Sequence, residues 1–165
     1  MEERPKIKLS FTPIDKAFEI TGWLMLFSIW ILVIANYSEM PDVIPNHYDI
    51  TGKADGYGGK SSVLGLVSIA TALFAGLTIL NKFPHIFNYP GKVTEVNALV
   101  QYKNSTRFIR YLKLVIVILF WFIAFKTIQH AKGTNDDLGM WVLPLTLGLI
   151  FIPLVYTIIK SIKAK

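Results

Sequence analysis

The sequence predicts an all-α membrane protein: a four-transmembrane-helix bundle with an ordered extracytoplasmic loop between helices 1 and 2 and a long helix 3 extending into the cytoplasm. Two observations carry this. First, the charges leave long gaps: 19 residues between Glu19 and Glu39, 21 between Lys60 and Lys82, and 22 between Asp137 and Lys160. A bilayer core of ~30 Å needs roughly 20 apolar helical residues. Second, the 17 Lys and Arg are unevenly shared. The N-terminal tail, the segment between spans two and three and the C-terminal tail hold 13 of them, and the two other connections hold 4. The positive-inside rule then puts both termini and the central segment in the cytoplasm.

The formal net charge is +6. In a soluble protein this would suggest nucleic acid. Here the bilayer accounts for it, because anionic headgroups attract the basic segments, and no nucleic-acid partner is expected. The chain holds 0 cysteines, which excludes disulfides, thiolate chemistry and cysteine metal sites.

Along the chain, 1–17 is polar and carries Pro5 and Pro13, so it should be a loosely ordered or interfacial cytoplasmic segment. Span one covers 18–38. It ends in Ala35-Asn36-Tyr37-Ser38 without a small-x-small cleavage pattern and reads as a retained span. Span two covers 63–83. Its Gly65, Ser68, Ala72, Ala75 and Gly76 let helices approach closely in lipid, which marks it as the expected packing centre. Pro84 ends it. Residues 84–107 form a cytoplasmic loop and helix, with Thr94 as a capping residue.

No proline or glycine interrupts Glu95 to Gln129, so one long helix should pass into span three at 108–129. Its apolar core, Leu114–Phe125, has only 12 residues and spans if Lys113 and Lys126 snorkel. Lys103, Arg107, Arg110 and Lys113 share one helical face and read as a lipid-headgroup stripe. Span four covers 138–159, where Pro144 and Pro153 can kink it. The whole of 1–165 reads as a single membrane domain.

The densest set of turn-formers and titratable groups lies in the 39–62 loop, within Pro41–Lys60: two prolines, four glycines, one histidine, three aspartates and two lysines. Pro41 and Pro45 keep the chain extended. Asn46 to Ile50 alternates polar and apolar and suits a short strand. Thr51-Gly52-Lys53 and Asp55-Gly56 are turn pairs. His47, Asp49 and Asp55 could converge on a divalent ion, and His47 could act as a proton switch. Alternatively they cap turns and pair with Lys53 or Lys60. No nucleophile–base–orienter set is present, so neither enzyme activity nor a cofactor is expected. Gly59-Lys60-Ser61 ends like a phosphate loop, but Ala54 stands where that motif needs glycine.

These residues carry a family likeness. The stretch resembles the domain of unknown function 1648, a bacterial membrane family with the pattern Leu-Pro-x-x-Ile-Pro-x-His-Phe-Asn, followed by Gly, Asp and Lys. Pro41, Ile44, Pro45, His47, Gly52, Asp55 and Lys60 match, while Tyr48 stands for phenylalanine and Asp49 for asparagine. The Asn97…Tyr102…Arg107 run is similar more loosely. The resemblance implies a bacterial cytoplasmic (inner) membrane protein. It also implies a link to Sdp-type immunity proteins, which protect a producing cell from its own toxic peptide. The expectation is therefore a non-enzymatic membrane protein whose outer loop meets a peptide or protein partner. The alternatives are a small transporter or ion-handling protein, and a structural or assembly subunit of an oligomer or complex.

Overall fold

A computed structural model describes residues 4–134 and 137–164. Asn135 and Asp136, between spans three and four, lie outside the described residues. The order is α1 (Pro13–Tyr37), β1 (Val43–Tyr48), β2 (Ala54–Gly59), α2 (Ser62–Leu80), a 3-10 turn (Pro84–Ile86), α3 (Ala98–Ala131) and α4 (Val142–Lys163). All four α-helices are long and apolar enough to cross a membrane. The two strands form one antiparallel hairpin, which an all-α reading leaves out.

α1 begins ahead of its apolar run because Thr12 and Asp15 form a capping box, satisfying two N-terminal donors. Of the two expectations for the N-terminal segment, loosely ordered or interfacial, loose order does not hold for 4–12, which is tied down. The Tyr102 hydroxyl donates to the Pro5 carbonyl (3.0 Å), and the Arg4 guanidinium donates to the carbonyls of His85 (3.1 Å) and Phe87 (2.6 Å).

The packing centre is α3 and not α2. α3 packs against α1, α2, α4 and β1, and at 34 residues it is about 51 Å long. α2 buries Val63, Val67, Ala70 and Phe74, whereas Gly65, Ser68, Ala72, Ala75 and Gly76 all face outward. The small residues therefore do not mediate contact within this chain. The larger side chains on the opposite face do, with the Trp23 ring set edge-on to Phe74 at 4.9 Å and Trp30 Nε1 donating to Thr71 (3.0 Å).

The side chains of α3 also hold chain ends. Gln101 Nε2 donates to the Ser161 carbonyl (2.9 Å), and Asn97 Nδ2 to that of Ala164 (3.3 Å). Both donate to carbonyls at the C-terminal end of α4, where a helix leaves acceptors short of intrahelical donors. Pro144 falls in the first turn of α4, where a missing N–H costs no helical bond. Pro153 is internal and frees the Leu149 carbonyl, which accepts the Tyr111 hydroxyl at 2.9 Å.

The basic face of α3 is not the exposed stripe expected: of its four residues only Lys103 is exposed. Arg110 and Lys113 are 5% and 1% exposed and face other helices. Arg107 Nε donates to Asp15 (3.0 Å), and Lys113 Nζ to Glu19 (2.7 Å) and Thr78 (2.9 Å). Lys113 therefore does not snorkel. It closes an interior ion pair over the Phe74 ring.

A candidate recognition hairpin

The hairpin follows α1 directly and is held by its sequence at three levels. Its inner face is apolar: Ile44 is fully buried, Pro45 is buried, and Met40 is 3% exposed. The register pairs Val43 with Gly59, Ile44 with Gly58, Pro45 with Tyr57, His47 with Gly56 and Tyr48 with Ala54, with irregularities on either side of His47. Proline lacks a ladder donor, which fits a two-stranded edge. A Cβ at Gly56 would stand 2.8 Å from His47 Cβ, so the strand opposite His47 needs glycine there.

The turn is organised by Asp49. Its Oδ1 accepts from Thr51 N (2.7 Å), Thr51 Oγ1 (2.7 Å) and Lys53 N (3.0 Å). The Thr51 bonds, then the Lys53 amide, hold its carboxyl below the usual carboxylate range. Gly52 has φ +80°, and a Cβ there would lie 2.6 Å from Gly139 N. Its carbonyl accepts Leu138 N at 2.8 Å. The turn is thus bonded to the segment that enters α4.

Side chains fasten the remainder. The Tyr48 hydroxyl bonds Thr127 on α3 (2.8 Å), and burial pushes its pKa up. Lys60 pairs with Asp42 (3.2 Å) and Lys132 with Glu39 (2.6 Å). Hydrogen bonding to Lys132 holds the Glu39 carboxyl low. The Tyr57 and His130 rings lie 6.2 Å apart, tilted by 56°.

His47 Nδ1 and Asp55 Oδ1 come together at 2.5 Å, with side chains 71% and 47% exposed. Asp49 does not join them; its Oδ1 turns to Thr51 and Lys53. Among the described residues no three His, Cys, Asp or Glu are placed to hold a metal ion, so the three-residue cation site is not formed. Pro41 is exposed at the entry. Val43, Ile50 and Tyr57 are 62%, 77% and 57% exposed, giving the hairpin an outward apolar and His–Asp face. Sequence reading missed Tyr57, Thr127, His130 and the 138–139 contact. Of these, only the aromatic at position 57, alternating with glycines, left a local signal.

Together these features define a multi-helix protein of membrane type with a hairpin bonded to its bundle. The family described as Domain of unknown function (DUF1648) matches residues 24–71, which covers most of α1, the hairpin and the first half of α2. The chain is also similar to an "Uncharacterized protein" of Archaeoglobus fulgidus, 23% identical over 115 residues, with 65% of this chain and 63% of that protein covered. The chain thus spans less than two thirds of that relative's length. No solved structure matches it.

Proposed function

We propose that the chain is a non-enzymatic, multi-pass protein of the bacterial cytoplasmic membrane whose hairpin faces the exterior and binds a peptide or protein partner. The carrying observation is that the hairpin is anchored to the bundle through Ile44, Tyr48 and Gly52 while Val43, Ile50, Tyr57 and the His47–Asp55 pair stay exposed. Anchoring lowers the ordering cost of binding at these side chains, and open strand edges can accept an added strand. The lysine and arginine asymmetry supports cytoplasmic termini. Self-protection against a membrane-active peptide is the concrete form, by analogy with immunity proteins that contain this domain.

The test is His47→Ala and Tyr57→Ala at unchanged protein level in the membrane. Producing cells should become sensitive to the peptide, and cross-linking from position 50 should be lost. Unaltered sensitivity together with unaltered cross-linking overturns the reading. The cluster of Asp15, Glu19, Arg107, Arg110 and Lys113, buried between α1 and α3, favours a second reading, ion handling, since buried charges at the end of a span can mark the mouth of an ion path. Proton or solute flux in reconstituted vesicles, abolished by Glu19→Gln, would select it over the first.

A further inference from the structure

A hollow of about 610 Å³ lies between segment 4–12 and the facing ends of α1 and α2. Phe11 and Trp23 give it apolar walls, while Lys8, Lys82 and Arg110 supply cations and Glu19 the one carboxylate among its lining residues. That carboxylate is already taken by Lys113. The surrounding cluster sets Arg107, Arg110 and Lys113 against Asp15 and Glu19, leaving one positive charge in surplus. Lys8 and Lys82 add two more and make no ion pair among the described residues.

Arg110 is the least satisfied member. Its side chain is 6% exposed, with Nε 3.4 Å from Glu19 Oε1 and Nη1 3.9 Å from Asp15 Oδ1. Nε has no hydrogen-bond partner, and its guanidinium stacks over the Phe11 ring at 4.4 Å. A guanidinium carries five donors, and leaving such donors unpaired in a buried site is costly. Asn81 lines the same hollow, and its Oδ1 is buried without a partner. The unpaired Arg110 Nε calls for an anionic oxygen, and the unpaired Asn81 Oδ1 calls for a hydroxyl.

We propose that this hollow binds a hydroxyl-bearing phosphate ester, supplied by the headgroup of an anionic lipid. Arg110 forks onto the phosphate oxygens, as its planar geometry favours, Lys8 and Lys82 close over them, and Asn81 accepts the hydroxyl. The lipid source follows from depth. Glu19 and Lys82 bound the charge-free stretches of α1 and α2, which places the hollow at headgroup level, at the end of the bundle away from the hairpin. The inference rests on the membrane placement and is independent of what the hairpin binds.

The test measures thermal stability of the full chain in mild detergent with added phosphatidylglycerol, phosphatidylcholine or soluble glycerol 3-phosphate. Phosphatidylglycerol should stabilise it and phosphatidylcholine should not. Lys8→Gln with Lys82→Gln should weaken the apparent affinity about tenfold, near the worth of one charge-assisted bond, whereas exposed Lys103→Gln should leave it unchanged. These variants spare the buried cluster and are expected to fold. Equal response to both lipids, or equal loss in the Lys103→Gln control, overturns the site. Stabilisation by glycerol 3-phosphate with none from the lipid keeps the phosphate chemistry and overturns the lipid source.

Discussion

Gly52 and Asp49 show how much one turn depends on single residues. At φ +80° a side chain is strained, and Gly52 also lies against the Gly139 backbone. Gly52→Ala should therefore destabilise the hairpin by about 2 kcal/mol or more, combining the left-handed penalty with the clash. Faster amide exchange at Leu138, whose N–H bonds the Gly52 carbonyl, would report it. Asp49 makes the same turn sensitive to acid. Its folded carboxyl is held below the usual range, so its contribution is complete above the unfolded value of about 4. It is lost as pH falls through the lowered folded value. Exchange at the Thr51 and Lys53 amides should accelerate in that acid window, and Asp49→Asn should remove the dependence. The turn chemistry of these residues was legible because it is local. Their docking on 138–139 was not, because the partner stands 86 residues away and carries no local mark.

At the scale of an element, α3 separates what periodicity reveals from what it hides. A stretch without proline or glycine gave the helix length, and spacings of three and four gave its basic face. The same spacing serves a face turned to headgroups and one turned to carboxylates on another helix. The second signal lay in Asp15 and Glu19, four apart at the start of α1 and therefore also on one face. Reading the two stripes together would have paired them. α4 offers the sharper test. Tyr111 supplies the donor that Pro153 withholds from Leu149. Tyr111→Phe should cost about 1–2 kcal/mol, the price of an unsatisfied carbonyl in an apolar setting, measured as a lower unfolding midpoint in detergent. Pro153→Ala restores the helical N–H and should make the Tyr111→Phe change nearly silent.

Across the whole molecule, three of the four apolar runs were plain from charge gaps, because lipid acts on every residue of a span; the run in α3, with only 12 charge-free residues, was not. Which helix stands in the middle was not, since packing depends on shape complementarity between faces far apart in sequence. The Glu19–Lys113 pair tests how the whole is held. Glu19→Gln or Lys113→Met alone leaves a buried charge and should cost about 3–5 kcal/mol, whereas the two together should recover most of it. Equal losses for the single and double changes would mean that the pair does not couple α1 to α3.

The position of α3 late in the chain also gives the protein an order of assembly. Glu19 and Lys113 are 94 residues apart. At about 5–20 residues per second, the carboxylate waits about 5–20 s for its cation while the ribosome works. During that interval the first two spans are already made, yet neither the hairpin's Thr127 anchor nor the counter-charges exist. The half-translated chain thus lacks the contacts that hold the finished bundle, and its early spans wait for them.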